Sequence, residues 1–481
     1  MTRGGLWLAG AFLVPNLGAL ACGFVFDDRV LLVENEPMHV HSLRDLRAIW
    51  TSGYWPDPRG QELYRPVSKT LWAVLWAAGG GTHPILYHAV GLALGLAVVL
   101  LLYRLLLEVE FPPRVAFAAA ALFALFPIHT EATTSVVGSA ETLAAAFGLG
   151  AVVLYYRGRA LWALALIALA VFSKESAAAF AALPAAFPPR QWRSRASLLV
   201  AGGAALIIGA ALAAHRAVGR GTGQIPVIDN PASLVTVPQR LLTALWVQGL
   251  YIFKTYLPIT LSADYSYKQL RLVMGLGDWR AWAGLALAGV WMALLLNRRY
   301  RAPVAAYAIL FAATANILFP IGTIMGERLA YAPSLGLALL AAILLTRWRH
   351  WKTALVVVAL LFGARTAVRN LDWLNAQRFY LKLAETSPDS AKAQYSLGTL
   401  RASRGDDSGA IAAYDRAIEI FPAYSEAFHN RGNALVRLGR RAEAMESYRQ
   451  CLRFDPGHSG AAYNLMQLQL GKPLDPPRKP L

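Results

Sequence analysis

The chain has 481 residues, 56% of them hydrophobic and only 15% charged. A soluble globular protein carries about a quarter charged residues, so the composition excludes an ordinary soluble domain. Net charge is +18, but the basic residues stand at the ends of apolar runs, a pattern that orients membrane helices and argues against a nucleic-acid partner.

In chain order, apolar runs of roughly 15 to 20 residues recur, about the length that crosses ~30 Å of hydrocarbon. Candidate spans are 6–23, 85–103, 114–127, 136–156, 160–173, 176–188, 197–214, 281–297, 303–320, 331–346 and 353–368. The first has no small-residue cleavage site and flows into polar sequence, so it reads as a retained helix rather than a signal peptide. Arginine clusters follow the runs: Arg104 with Arg114, Arg157 with Arg159, Arg190/Arg193/Arg195, Arg298/Arg299/Arg301, and Arg347/Arg349/Lys352. With all five on the cytoplasmic side, the N-terminus is inside, and the C-terminus and the loop 24–84 are outside. Residues 240–258 are apolar too, but Gln248 and Lys254 interrupt them, and a crossing there would move Arg298–Arg301 outside. That segment reads as an outer-face interfacial or re-entrant helix. The expected fold is all-α: a polytopic membrane helix bundle of about eleven spans over 1–370, then a short α-solenoid.

The solenoid expectation comes from a repeat. Pro388, Pro422 and Pro456 stand 34 residues apart, as do Ala376, Ala410 and Ala444, and Tyr380, Tyr414 and Tyr448. Gly398 pairs with Gly432, and Gly405 with Gly439. Small residues where paired helices touch, with Gly and Pro at turns, make the tetratricopeptide pattern. It occupies 371–471: a half repeat at 372–388, repeats at 391–422 and 425–456, a partial one at 459–471, and a tail from 472 to 481. The two cysteines, Cys22 and Cys451, imply neither a disulfide framework nor a zinc site.

Ionisable residues gather at the expected outer ends of the spans. They are Asp27 and Asp28, Arg65, His129 and Glu131, Lys174 and Glu175, Asp264, and Glu327 and Arg328, with Glu141 inside the fourth span. Such groups at bilayer depth pair, bind a ligand or line a wet cavity. Plainer roles are open to each: capping for Asp27, Asp28 and Glu131, packing for His129, salt bridges for Lys174–Glu175 and Glu327–Arg328, and a turn for Asp264.

The motifs "GFVFDDRVLLVEN", "YRPVSK", "LFPIHTEATTSVVGSAETLA", "FSKES", "LSADYS" and "GERLAYAPSLG" precede the repeats in this order. In that arrangement the chain resembles the transmembrane and tetratricopeptide-repeat O-mannosyltransferases. The resemblance implies a multispanning glycosyltransferase that moves mannose from a polyprenyl-phosphate donor to Ser or Thr hydroxyls of protein acceptors. It implies a catalytic acidic pair in the first outer loop, matching Asp27 and Asp28. Asp27, which follows Phe26, is the first candidate for the base, with Asp28 supporting it or orienting the acceptor.

The residues suit that chemistry. A base must take the hydroxyl proton, and a carboxylate beside another has a raised pKa. The departing lipid phosphate needs a cation, for which Arg65, Lys174 and Arg328 are candidates. His129, Glu131, Glu141, Glu175, Asp264 and Glu327 would line the cavity. Inversion in one displacement needs only one base, and the two carboxylates could instead hold a divalent cation, the one cofactor the sequence leaves open. The repeats would hold the protein acceptor. Richness in Ala, Leu and Arg suits a GC-rich bacterial genome, hence an inner membrane with site and repeats on the periplasmic side, or an endoplasmic reticulum membrane in a eukaryote. Two other functions compete: a membrane-anchored repeat scaffold without catalysis, and a lipid-linked-sugar flippase, which would need charges along a path through the membrane.

Overall fold

The structure, a computed structural model, describes residues 3–42, 44–56, 63–79, 81, 83–188, 195–218, 224–474, 476 and 477. Arg190 and Arg193 of the third arginine cluster lie outside the described residues. Among the described residues every regular element is helical.

The first helix, α1 (Arg3–Asn16), continues through a 3-10 turn to Ala21. The loop after it folds as short elements, α2 (Leu46–Thr51) and α3 (Pro66–Gly79), around Leu31, Leu32, Met38, Tyr54 and Trp72. Two hairpins follow: α4 (Pro84–Glu108) with α5 (Pro113–Leu125), and α7 (Ser139–Tyr156) with α8 (Ala160–Ser173). Between them lies α6 (Thr130–Thr134). Pro127 cannot donate to the preceding turn, so the chain breaks there and bends by 53°. Next come α9 (Arg195–Val218), α10 (Val237–Tyr256), α11 (Trp279–Leu296), α12 (Arg301–Phe311), α13 (Ser334–Leu345) and α14 (Trp351–Asn370).

Helices α1, α4, α5, α7, α13 and α14 surround one core, in which the alanine-rich α5 is buried almost throughout. Small side chains let its neighbours approach closely without any need for interhelical hydrophobic attraction in lipid. By contrast α9 and α11 bury few of their residues, as lipid-facing helices do. By length and composition six helices can cross a membrane, or seven when the bent pair from α5 through α6 is one span. Shorter apolar helices are α8, α12 and α13. The stretch expected as a span at 176–188 is instead two 3-10 segments, Glu175–Ala181 and Leu183–Ala185, where Pro184 opposes a continuous helix. Helix α10 buries Gln248, whose amide oxygen accepts from the Tyr307 hydroxyl at 2.7 Å, and Lys254 reaches the Thr260 carbonyl. It is not among the helices apolar enough to cross.

Arg104 and Arg114 stand near the turn between α4 and α5, and Arg157 with Arg159, Arg298 with Arg299, and Arg347 with Arg349 stand in the turns α7–α8, α11–α12 and α13–α14. The opposite ends of these hairpins carry the acids and bases singled out above.

After α14 a 3-10 turn leads into α15 (Ala376–Thr386), then the pairs α16 (Ala391–Ser403) with α17 (Asp407–Ile420) and α18 (Ser425–Arg437) with α19 (Arg441–Phe454), and last α20 (Ser459–Gln469). Ser390 and Asp406 cap α16 and α17 by accepting backbone N–H groups. The repeat is set by a close approach: a Cβ on Gly398 would meet the Tyr414 ring at 2.6 Å, and one on Gly432 the Tyr448 ring at 2.6 Å. The repeats pack on the membrane part, with Cys22 and Val25 against Trp373, Phe379, Leu383 and Ala393.

Gly432→Val should therefore destabilise the solenoid by about 1–3 kcal/mol, the usual penalty of overpacking. Thermal unfolding in detergent is the measurement; an unchanged transition would show that the Tyr448 ring yields freely.

Candidate active site

The site begins at a backbone irregularity. Phe26 takes a left-handed conformation with φ 57°, which costs a bulky residue about 1–3 kcal/mol. Its ring is held against Phe379 of α15 at 5.4 Å between centroids. The turn sends the two neighbouring carboxylates to different partners.

Asp28 is fully buried and accepts three hydrogen bonds from the junction before α7: Val137 N at 2.8 Å, Ser135 Oγ at 3.1 Å and Val136 N at 3.3 Å. That junction is tight because Gly138 lies on the Glu131 carbonyl, which a Cβ would meet at 2.2 Å. Asp27 keeps 21% of its side chain accessible, and its Oδ2 lies 3.6 Å from Arg328 Nη1. The same Nη1 donates to Glu131 Oε1 at 2.9 Å, and the Arg328 backbone N–H donates to Glu131 Oε2 at 3.0 Å. Glu131 is buried and Arg328 is 34% accessible, so the open side of this triad is Asp27 and the guanidinium.

A second wall stands within electrostatic reach of Arg328, through Tyr54 and Glu141. Arg65 makes a two-pronged bond with Glu175, Nε to Oε2 at 2.8 Å and Nη2 to Oε1 at 2.6 Å, and lies 4.8 Å over the Tyr54 ring. Burial alone would push the Glu175 carboxyl up, but the Arg65 guanidinium overrides it and holds it well below the usual range. Lys174 and Glu141 form a buried ion pair. Asp27, Glu131, Arg328, Arg65, Glu175, Lys174 and Glu141 thus form one array of alternating charge.

Three residues singled out in the sequence stand apart. His129 bonds Ser334 Oγ at 2.7 Å and is enclosed by Phe123, Phe126 and Tyr331, a packing position. Glu327 is fully buried, accepting from Ser262 N at 2.6 Å and Tyr265 OH at 2.5 Å and pairing with Arg369 at 3.4 Å. Asp264 accepts from Ser266 Oγ at 2.8 Å and from the helix-capping Ser390 of the repeats. Asp264 thereby binds the membrane part to the solenoid, while Glu327 ties the loop 262–265 to the end of α14.

The structure adds residues that sequence reasoning missed. Lys392, from α16 of the first full repeat, pairs with Asp229 at 2.6 Å and acts electrostatically on Asp27 and Asp264. Lys392 had no signal beyond its place just after a repeat turn. Tyr54 lies under Arg65 and within electrostatic reach of Asp27 and Arg328. Among the described residues no three His, Cys, Asp or Glu side chains gather as a metal site would require.

Burial pushes Asp27 up despite the opposing pull of Arg328 and Lys392. Burial also pushes Asp28 up, to about 7, against hydrogen bonds that favour its charged form.

The repeat region matches two tetratricopeptide families, described as "TPR repeat" over 398–439 and "Tetratricopeptide repeat" over 425–458. Along most of its length the chain is similar to proteins named protein O-mannosyl-transferases. It is 27% identical to F38B6.6 of Caenorhabditis elegans, covering 88% of this chain and 63% of that one. It is 24% identical to human TMTC3, covering 92% and 54%, and 24% identical to human TMTC4, covering 81% and 63%. The chain thus spans between half and two thirds of the length of these relatives. A solved structure of the Archaeoglobus fulgidus oligosaccharyltransferase, tethered to an acceptor peptide, aligns with TM-score 0.39 and 17% identity over 85% of this chain and 58% of that one.

The pH dependence of Asp28 has a definite sign. Its raised folded value means that between its ordinary 3.8 and about 7 the folded chain holds a proton the unfolded chain has released. That contribution to stability is complete below the unfolded value and is lost as pH rises through the folded one. Wild type should lose stability over this window with a slope of up to about 1.4 kcal/mol per pH unit, and Asp28→Asn should lack that component. Thermal unfolding in detergent at stepped pH checks it; identical slopes would mean that Asp28 stays ionised throughout.

Proposed function

We propose that the chain, a homologue of the transmembrane and tetratricopeptide-repeat protein O-mannosyltransferases, is an integral-membrane glycosyltransferase. It transfers mannose from a polyprenyl-phosphate donor to Ser or Thr hydroxyls of proteins on the outer face. That face is periplasmic in a bacterial inner membrane and lumenal in an endoplasmic reticulum membrane. The observation that carries this reading is Asp27: an accessible carboxylate, raised by burial, beside a partly open guanidinium.

In the proposed reaction Asp27 takes the acceptor hydroxyl proton as the oxygen attacks the anomeric carbon. The C–O bond to the lipid phosphate breaks in the same displacement, inverting the sugar carbon and releasing polyprenyl phosphate. Protonated Asp27 no longer attracts Arg328, whose guanidinium then answers the charge gathering on the leaving phosphate. Arg65 and Lys174 add positive potential to the same array. Each is already engaged, by Glu175 and Glu141, so Arg328 carries the direct contact in this scheme. Asp28 holds the loop in place. The repeats present the protein acceptor beside Asp27.

Asp27→Asn removes the base while disturbing only the 3.6 Å contact to Arg328. It should lower transfer of labelled mannose from polyprenyl-phosphate mannose to acceptor peptides by about 10²- to 10⁴-fold, with the unfolding temperature unchanged. Chelator arms and other lipid-linked sugars belong in the assay. Equal transfer by variant and wild type would sink the assignment of Asp27. Wild-type inactivity with every donor would favour the scaffold reading.

A further inference from the structure

A groove of about 670 Å³ lies where the end of α14 meets α15, walled in part by Ile259, Val368, Leu381, Arg365, Arg378 and Lys382. It is separate from the array around Asp27. One side is apolar and open: Ile259, Val368 and Leu381 are all exposed. The same strip continues along α14 through the exposed Leu360 and Leu361, and along the end of α10 through Phe253 and Leu257. Large apolar side chains exposed on a membrane-crossing helix face acyl chains, so this strip marks where the lipid reaches the groove.

The other side is cationic, with charge left over. Arg365 stands a little over one turn from the end of α14, and its guanidinium donates to the carbonyls of Pro258 at 2.9 Å and Ile259 at 3.3 Å. Those bonds use two of its five N–H groups and bring no negative charge. Arg378 is exposed, with no side-chain hydrogen bond or ion pair to a described residue. The acids nearby are already taken: Asp372 pairs with buried Arg369 at 2.9 Å, and Glu385 with Lys382 at 2.7 Å. Among the described residues, neither of the two arginines facing this groove at the membrane edge is within ion-pair distance of a carboxylate, though Asp372 lies in electrostatic reach of Arg365. A phosphodiester matches them, offering paired oxygens to a planar guanidinium, and its acyl chains match the apolar strip.

We propose that this groove binds the headgroup phosphate of an anionic phospholipid from the surrounding leaflet, and that the bound lipid seats the first repeat helix on the membrane surface. The occupant is a bilayer lipid. The sugar donor would have to meet Asp27, which lies elsewhere. The proposal needs only that the apolar helices lie in a membrane, so it stands or falls independently of mannosyl transfer.

The test uses the full-length chain in detergent, titrated with dioleoyl-phosphatidylglycerol or dioleoyl-phosphatidylcholine and read by native mass spectrometry. Wild type should retain one phosphatidylglycerol well above the phosphatidylcholine level. Arg378→Gln should weaken that retention about fivefold, and Arg365→Gln at least as much. Arg365→Gln also removes bonds to the segment after α10, so Arg378→Gln, whose exposed side chain bonds no described residue, is the decisive variant provided its unfolding temperature matches wild type. Equal retention by Arg378→Gln and wild type would overturn the proposal, as would equal binding of the two lipids. Displacement of phosphatidylglycerol by stoichiometric undecaprenyl phosphate would also overturn it, making the groove an entrance for the donor.

Discussion

Charge withdrawn from water must be answered by charge, and here that requirement converges on Arg328. Its guanidinium answers Glu131, its backbone N–H bonds the same carboxylate, and its remaining reach extends to Asp27. Glu131 is nearly inaccessible, and a buried carboxylate stripped of its partner is destabilising by about 3–5 kcal/mol. One cation thus ties three distant segments: the loop after α1, the kink between α5 and α6, and the turn before α13. The kink exists because Pro127 ends α5, and the bend of 53° there carries Glu131 to Arg328.

The two aspartates that follow the first span look alike in sequence and are used differently. A left-handed residue between the apolar run and the acids aims one carboxylate inward and leaves the other partly open. Asp28, with three donors and no exposure, clamps the loop to the start of α7. Asp27, with one long contact, is the one left partly accessible. The strain at Phe26 is held by contacts from the repeats, because its ring rests on Phe379. The repeats therefore help set the geometry of Asp27.

That dependence appears in the main chain as well. Ala391 N donates to Tyr267 O at 2.7 Å and Lys268 N to Asp389 O at 2.9 Å, while Ser387 and Ser390 bond Asp264. Bonds of this kind do not suit a swinging tether. They fix the first repeat to the loop carrying Asp264, and so place Lys392 in the field of Asp27. In this fold the solenoid is a wall of the site.

Helical periodicity, arginine-bearing turns and the period of 34 residues were legible because each is a local pattern repeated along the chain. The short 3-10 segments over Glu175–Ala185 were not, since an apolar run reads the same whether it crosses or folds back. Partner choice was the least legible part. Arg65 finds Glu175 across 110 residues, Arg328 finds Glu131 across 197, and Lys392 finds Asp229 across 163. Adjacency itself misleads: Lys174–Glu175 and Glu327–Arg328 look like ready-made pairs, yet all four residues bond elsewhere. Lys174 is in extended conformation, with φ −158° and ψ 132°, whereas Glu327 and Arg328 both lie in the 3-10 turn Glu327–Ala330. In extended chain successive side chains leave on opposite sides, and in a 3-10 turn they stand about 120° apart. Opposite charges next to each other in such segments are therefore poorly placed to neutralise one another and well placed to reach two different elements. That geometry lets a handful of acids and bases staple many helices around one accessible carboxylate.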